Sequence, residues 1–182
     1  MKIKILSSVI LVFLLSSLSF SQAGFKEGPE YNWSFSLIQP TPSETLSYSD
    51  AFIKITFYMH PAFIGFGIQN RTDSGIKINW DDLSMIDPSG TSSRVIRTRI
   101  KPEDKNSPQA PTVIPPNAGF QDILIPSENV YDNLELNYRP LFGGDDSLKW
   151  NNKDFRLYFP LEIKGSKKEY TFKFKIHVEI IK

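Results

Sequence analysis

Along most of this chain apolar side chains fall on every second residue, in runs too short to suit a helix. That period of two sends one row of side chains to one face of a strand and the intervening row to the other. Trp33, Phe35 and Leu37 begin the series, and Ile53, Ile55, Phe57 and Met59 continue it. Between residues 63 and 100 shorter runs follow, carried first by Ile64, Phe66 and Ile68 and then by Ile76, Ile78 and Trp80. With a polar turn at 70–75 and another at Asp87-Pro88-Ser89-Gly90, this region reads as a β-meander. In the second turn proline presets φ and aspartate bonds back to the backbone, which suits a type I turn.

The carboxy-terminal pattern is the longest. Phe155, Leu157, Phe159, Leu161 and Ile163 alternate, a turn over 164–168 holds Gly165-Ser166, and Tyr170, Phe172, Phe174, Ile176, Val178 and Ile180 resume the alternation. This predicts a hairpin. Pro160 has no N–H for a ladder, so its strand is expected at a sheet edge or bulged there. Pro61 ends one strand and turns the chain into the next, and Pro40 and Pro42 break the pattern after the first strand. Residues 101–119 carry five prolines in nineteen residues, which excludes a helix or a central strand. An extended crossover between sheets is the expectation, and an edge open to a partner is the alternative. Residues 127–149 show no clear period. Eight or nine short strands with no amphipathic helix describe an all-β fold, an antiparallel immunoglobulin-like β-sandwich in architecture.

Composition changes this picture at the amino terminus. Lys2 and Lys4, the apolar run at 9–15 and Ser21-Gln22-Ala23 make residues 1–23 a signal peptide with cleavage after Ala23. A retained membrane span would need ~20 apolar residues, and the segment from Ile5 to Phe20 is shorter and rich in serine. The mature chain then has a loose start at 24–30 and a single domain over 31–182, periplasmic or secreted, with no membrane span. Loss of two lysines takes 21 basic and 20 acidic residues to 19 and 20, a charge of about −1. Nucleic-acid binding calls for a strongly basic domain, so it is not expected. Cysteine is absent, which excludes disulfides, thiol catalysis, cysteine metal sites and lipid attachment at a mature cysteine.

Candidate chemistry is sparse. The chain has no phosphate loop, nucleophile elbow or paired-histidine zinc motif. No catalytic residue and no cofactor is assigned. Asp81, Asp82 and Asp87, with Asp145 and Asp146, are weak calcium candidates, because carboxylates on loops can supply hard oxygen ligands. Arg94, Arg97, Arg99 and Lys101 form a basic run on a strand, and alternation places Arg97 and Arg99 on the solvent side. Arg97, Arg99 and Lys101, with Val113, Ile114, Pro115 and Pro116 of the crossover, are the partner-binding candidates. Trp33, Trp80 and Trp150, with Tyr48, Tyr58, Tyr131 and Tyr138, suit either a platform for sugar or peptide or the core; for Trp80 the core is expected. His60 reads as a turn residue and His177 as solvated. The lysines around the terminal hairpin, Lys164, Lys167, Lys168, Lys173 and Lys175, read as edge protection.

Residues 70–97, NRTDSGIKINWDDLSMIDPSGTSSRVIR, then PQAPTVIPP, DILIPSENVY and YRPLF, resemble a set of uncharacterised bacterial exported proteins, many of them lipoproteins. The shared features are an Asn-x-Thr turn, an Asp-Pro or Asp-Gly turn, an Arg-Val strand and an Ile-Pro-Pro crossover. The resemblance spans residues 64–142 and the terminal hairpin. It implies the fold and no activity, and this chain departs from it by lacking the lipid-carrying cysteine. The expected function is therefore a non-enzymatic exported β-sandwich that binds another envelope or extracellular protein. The alternative is a calcium-dependent carbohydrate-binding protein or hydrolase that uses the acidic loops.

Overall fold

Alternating residues become strands only where a neighbour accepts their backbone hydrogen bonds, and the pairing here is more broken than the alternation suggests. A computed structural model describes residues 30–130, 139–142 and 147–181, and these form thirteen strands and no α-helix. In chain order the strands are β1 (Glu30–Gln39), β2 (Ser47–Ser49), β3 (Ile53–His60), β4 (Phe63–Asn70), β5 (Ile76–Ile78), β6 (Ser84–Ile86) and β7 (Ser92–Arg97). There follow β8 (Thr112–Ile114), β9 (Gly119–Pro126), β10 (Asp154–Tyr158), β11 (Leu161–Ile163), β12 (Ser166–Lys168) and β13 (Thr171–Ile181). The expected signal peptide, residues 24–29, Tyr131, Tyr138, Asp145 and Asp146 lie outside the described residues. The first strand already begins at Glu30, which the sequence assigned to the loose start.

The strands make two antiparallel sheets, one in the order β1-β13-β10-β6-β7-β9-β4-β3-β2 and one in the order β12-β11-β5-β8. The nine-stranded sheet folds back on itself at β7. Ser92, Ser93 and Arg94 pair with β6, whereas Val95, Ile96 and Arg97 pair with β9. As a result β3 and β13, far apart in the sheet order, face each other: the Phe57 ring lies 4.8 Å from that of Phe172 and 5.0 Å from that of Phe174. Ile53, Ile55, Ile64, Ile68, Leu124, Leu157 and Ile176 fill the space between the two layers. This is a β-sandwich core, and Trp80, 1% exposed, belongs to it.

Residues 63–100 are not a meander. β4 pairs with β3 and β9, β5 leaves for the small sheet, and only β6 and β7 form a hairpin with each other. Asn70 explains the departure of β5. Its buried amide donates to the carbonyls of Ser74, Ile114 and Pro115, and its oxygen accepts from the Thr72 N–H, which fastens the turn after β4 to β8. The Asp87 turn forms as expected, with the Gly90 N–H donating to the Asp87 carbonyl at 3.0 Å. The crossover at 101–119 does connect the two sheets, from β7 through a single 3₁₀ turn at Pro102–Asp104 to β8. Gln109 anchors it: the buried side chain donates to the Val95 carbonyl and accepts from the Arg97 N–H, taking the place of a strand beside β7.

The terminal hairpin keeps one register throughout, Phe155 opposite Phe174 and Leu161 opposite Lys168, but it divides between the sheets. The break falls at Phe159 and Pro160, where the chain leaves the large sheet. β10 lies between β13 and β6 and the register does not shift across Pro160, so neither the edge position nor the bulge expected there is found; the ladder to the large sheet ends there instead. The turn is also tighter than expected. Lys164 and Gly165, at φ 52° and 76°, close it alone, and Ser166 already belongs to β12. Positive φ at both central residues matches the twist of the flanking strands. Ile180, expected inside, is half exposed near the end of β13.

One polar cluster joins the start of β3 to the end of this hairpin. Asp50 accepts the N–H groups of Phe52 and Ile53 on one oxygen and the Tyr170 hydroxyl on the other, with Lys168 Nζ at 3.2 Å. Burial disfavours the Asp50 carboxylate, but these four donors outweigh it and hold the group below its usual range, and burial beside Asp50 pushes the Tyr170 phenol up. A carboxylate with a lowered folded pKa contributes stability above the unfolded value of about 3.9, and that contribution is lost as pH falls through the folded value. Asp50→Asn is therefore expected to be about 1–2 kcal/mol less stable than wild type at pH 7, with the gap closing in acid. Urea midpoints measured at neutral pH and at about pH 2.5 check this; a gap of constant size would contradict it.

Candidate functional site

In β4 the inward row is Ile64, Phe66, Ile68 and Asn70, while the outward row is Phe63, Gly65, Gly67 and Gln69. Two outward glycines leave a strip of the sheet with no side chains. The two-residue turn at Pro61-Ala62 places Tyr58 of β3 directly opposite Gly65. The Tyr58 ring then leans across both glycines. A Cβ at Gly65 would lie 3.3 Å from Tyr58 Cβ and 3.2 Å from its carbonyl oxygen, and one at Gly67 would lie 3.9 Å from Tyr58 Cε2. Only a glycine admits the first of these without a shift. The ring nevertheless stays 59% exposed.

Depressions of about 700 Å³ and about 400 Å³ lie along this face and share Tyr58, Phe120 and Gln121. The larger is bounded by Lys54, Thr56 and Gln69, and the smaller by Phe63, Thr98, Arg99 and Ile123. Together they form one open groove across the outer face of β3, β4 and β9. Its far end is closed by a small apolar cluster of Ile96, Ile125 and Val130, with Phe63, Ile100 and Ile123 packed against it. His60 sits beside it as the turn residue expected, accepting the Ala62 N–H on Nδ1 and stacking on Phe63 at 4.7 Å.

The basic run separates into different roles. Arg97 points inward, with a quarter of its side chain exposed. It is opposite Leu124, on the inner row, with its guanidinium 4.5 Å above the Trp80 ring and its Nε donating to Asp122 at 2.8 Å. The expected solvent side is one residue out of phase there, because β7 begins at Ser92 and Val95 takes the core position. Arg94 pairs with Asp81 at 2.6 Å and donates to the carbonyls of Lys105 and Ser107. Arg99 lies beyond the strand at φ 81°, exposed at the groove's edge, and makes no hydrogen bond or ion pair among the described residues. Lys101 is exposed, with Glu103 at 3.9 Å.

The other partner-binding candidates lie apart from this groove. Val113 is 61% exposed on β8, an edge strand of the small sheet, whereas Ile114 is buried beneath it and Pro115 and Pro116 are exposed. The carboxylates are occupied within the fold. Burial opposes the Asp81 charge, but Arg94 and the Gln109 N–H hold its carboxyl below the usual range. Asp82 lies 3.4 Å from Lys167. Asp87 accepts the N–H groups of Ser89 and Thr91 and the Ser89 hydroxyl, and stays low despite burial. Among the described residues no three carboxylate or imidazole groups come together as a metal site would need. Of the hairpin lysines, Lys164, Lys167, Lys168 and Lys173 each meet an aspartate, and Lys167 and Lys168 stand on β12, an edge strand of the small sheet. His177 meets Ser36 Oγ at 3.0 Å on the outward face of β13.

Sequence reasoning named Tyr58 but not its setting. The signal was present: a Pro-Ala turn of two residues fixes the register that carries Tyr58 onto Gly65. Comparison with protein-family models, with curated proteins and with solved structures found no match to this chain.

Proposed function

We propose that this protein is an exported, non-catalytic binding module that holds an extended segment of another envelope or extracellular protein across the outer face of β3, β4 and β9. The observation that carries this is the exposed Tyr58 ring laid over Gly65 and Gly67 in an open groove. A tyrosine that rests on backbone has little freedom left to lose when a ligand covers it, and it offers an apolar face with a polar edge. Thr56, Gln69 and Gln121 around it add neutral hydrogen-bonding groups of both kinds. The acidic loops favour the calcium-dependent carbohydrate or hydrolase reading less, since Asp81, Asp82 and Asp87 are already satisfied by protein donors.

The test is photo-crosslinking in the native cells, with the photoreactive residue at Gln121 in the groove or at Lys175 on β13 as control. A discrete adduct is expected from position 121 and not from 175, and Tyr58→Ala and Gly67→Val should each weaken it about tenfold while thermal stability changes by only a few degrees. Adducts that form equally at both positions, or that ignore Tyr58→Ala, would remove this face from consideration.

A further inference from the structure

The charge along the groove is unbalanced. Lys54 stands at one end of it and Arg99 at the other, both exposed, and neither makes an ion pair or side-chain hydrogen bond among the described residues. The carboxylate that lines the groove is Asp122, whose side chain is 8% exposed and already accepts from Arg97, Thr98 and the Ile123 N–H. This is not a general basicity of the chain, which carries 21 basic and 20 acidic residues. Elsewhere Lys77, Lys164, Lys167, Lys168 and Lys173 each lie beside a carboxylate, whereas Lys153, Arg156 and Lys175 have no ion pair among the described residues; the groove differs in gathering two such cations around one exposed ring.

Backbone conformation adds a second, independent observation. Arg99 occupies φ 81°, a region that side-chain-bearing residues enter at a cost in energy. The turn that imposes it is held by the Ile100 N–H on the Arg97 carbonyl, by the Thr98 N–H on Ile123 and by the Thr98 hydroxyl on Asp122. A glycine would relieve the strain. Strained positions of this kind concentrate where a side chain must be presented to a ligand.

We infer that the segment bound in the groove is acidic, with an apolar residue resting on Tyr58 and carboxylates on either side of it. This inference depends on the groove being a protein-binding site, as proposed above. Lys54 and Tyr58 are four residues apart on one strand, a separation of about 13 Å. An extended ligand running along β3 would therefore place one acidic residue roughly four positions from its apolar anchor. Arg99 lies across β4 and β9 from Tyr58, next to Thr98, whose N–H donates to Ile123 opposite Gly65, and it receives the second carboxylate where the ligand crosses the sheet from Tyr58. Unpaired cations at the rim of a site raise the rate at which opposite charge arrives and select against basic competitors.

The experiment is selection of a random short-peptide display library on the immobilised full chain, with the Lys54→Gln/Arg99→Gln variant for counter-selection. Both substituted side chains are exposed, and a thermal melt verifies that the variant folds. Retained peptides are expected to be enriched in Asp and Glu around an apolar residue. A synthetic member should lose about tenfold in affinity on passing from low to high salt and about tenfold on the double substitution. Retained peptides that are neutral or basic, and that Tyr58→Ala still releases, would overturn the inference and leave the site standing. If no peptide is retained but polygalacturonate binds in a Tyr58-dependent way, the ligand is an anionic polysaccharide and both readings fall. Retention of neither probe by the folded protein overturns both as well.

Discussion

Trp80→Ala should lower stability by about 4 kcal/mol, the largest loss expected from a single side chain of this protein. Trp80 is 1% exposed, and it lies where three parts of the fold meet. Its ring contacts Phe66 of β4 at a centroid distance of 6.3 Å and Phe120 of β9 at 5.9 Å, and Arg97 of β7 covers it. Its Nε1–H donates to the Thr112 hydroxyl of β8 at 3.0 Å, so the same residue also links the large sheet to the small one. Alanine removes the buried ring, leaves a cavity and takes away the surface on which a guanidinium rests. A domain with a net stability of about 5–15 kcal/mol would lose a large part of it, and the melting temperature should fall by about 8–16 °C. Trp80→Phe fills most of the volume but leaves the Thr112 hydroxyl with only the longer bond from Arg97 Nη1, at 3.3 Å, and should cost about half as much. Circular dichroism during urea and thermal unfolding gives both values. A loss below about 1 kcal/mol for the alanine variant would mean that the ring is not a junction of the sheets.

Period-two alternation was enough to identify the strands that carry long runs. β1, β3, β4 and β13 lie where Trp33, Ile55, Phe66 and Phe174 place them, because one buried face over eight or more residues fixes both the strand and its register. The six three-residue strands were harder to read. β5 and β6 stand in adjacent stretches of sequence, yet they belong to different sheets, and the amide of one buried residue, Asn70, decides which. Nothing in a pattern of apolar positions reports what a buried amide will bond. The same holds for Gln109, which lies among prolines and substitutes for a strand beside β7.

The groove was partly legible for a related reason. Its aromatic residue and its two glycines are visible as Tyr58, Gly65 and Gly67, and the turn between their strands fixes their pairing. What cannot be read is which cations are left over. Arg94, Arg97 and Arg99 look alike in sequence, but a carboxylate takes the first and an interior position takes the second. Only the third is left without an ion pair among the described residues, on a turn whose φ a sequence does not display. Among the described residues the acidic candidates are held apart for the complementary reason, since Asp81 and Asp82 are matched by Arg94 and Lys167 from distant parts of the chain.

Asp122→Ala should cost about 3 kcal/mol, and more than half of that should vanish when Arg97 is replaced at the same time. With Asp122 present, the guanidinium of Arg97 is paired at 2.8 Å and stacked on Trp80, with a quarter of its side chain exposed. Removing one member of a buried pair leaves the other charge uncompensated, which typically costs about 3–5 kcal/mol. The partial exposure of Arg97 lets water relieve some of this and sets the expectation at the lower end. Asp122 also holds the Thr98 hydroxyl at 2.7 Å, so the turn that presents Arg99 loosens with it. Arg97→Met keeps an apolar stem over Trp80 and leaves Asp122 with its bonds to Thr98 and Ile123; it should cost about 1–2 kcal/mol. The Arg97→Met/Asp122→Ala protein should then lose about 1.5–2 kcal/mol less than the sum of the two single losses. That coupling should survive high salt, because the Asp122 side chain is 8% exposed, whereas a similar cycle on the exposed Lys164 and Asp73 pair should show none. Single losses that add to within about 0.5 kcal/mol would show that water, and not Asp122, balances the Arg97 charge.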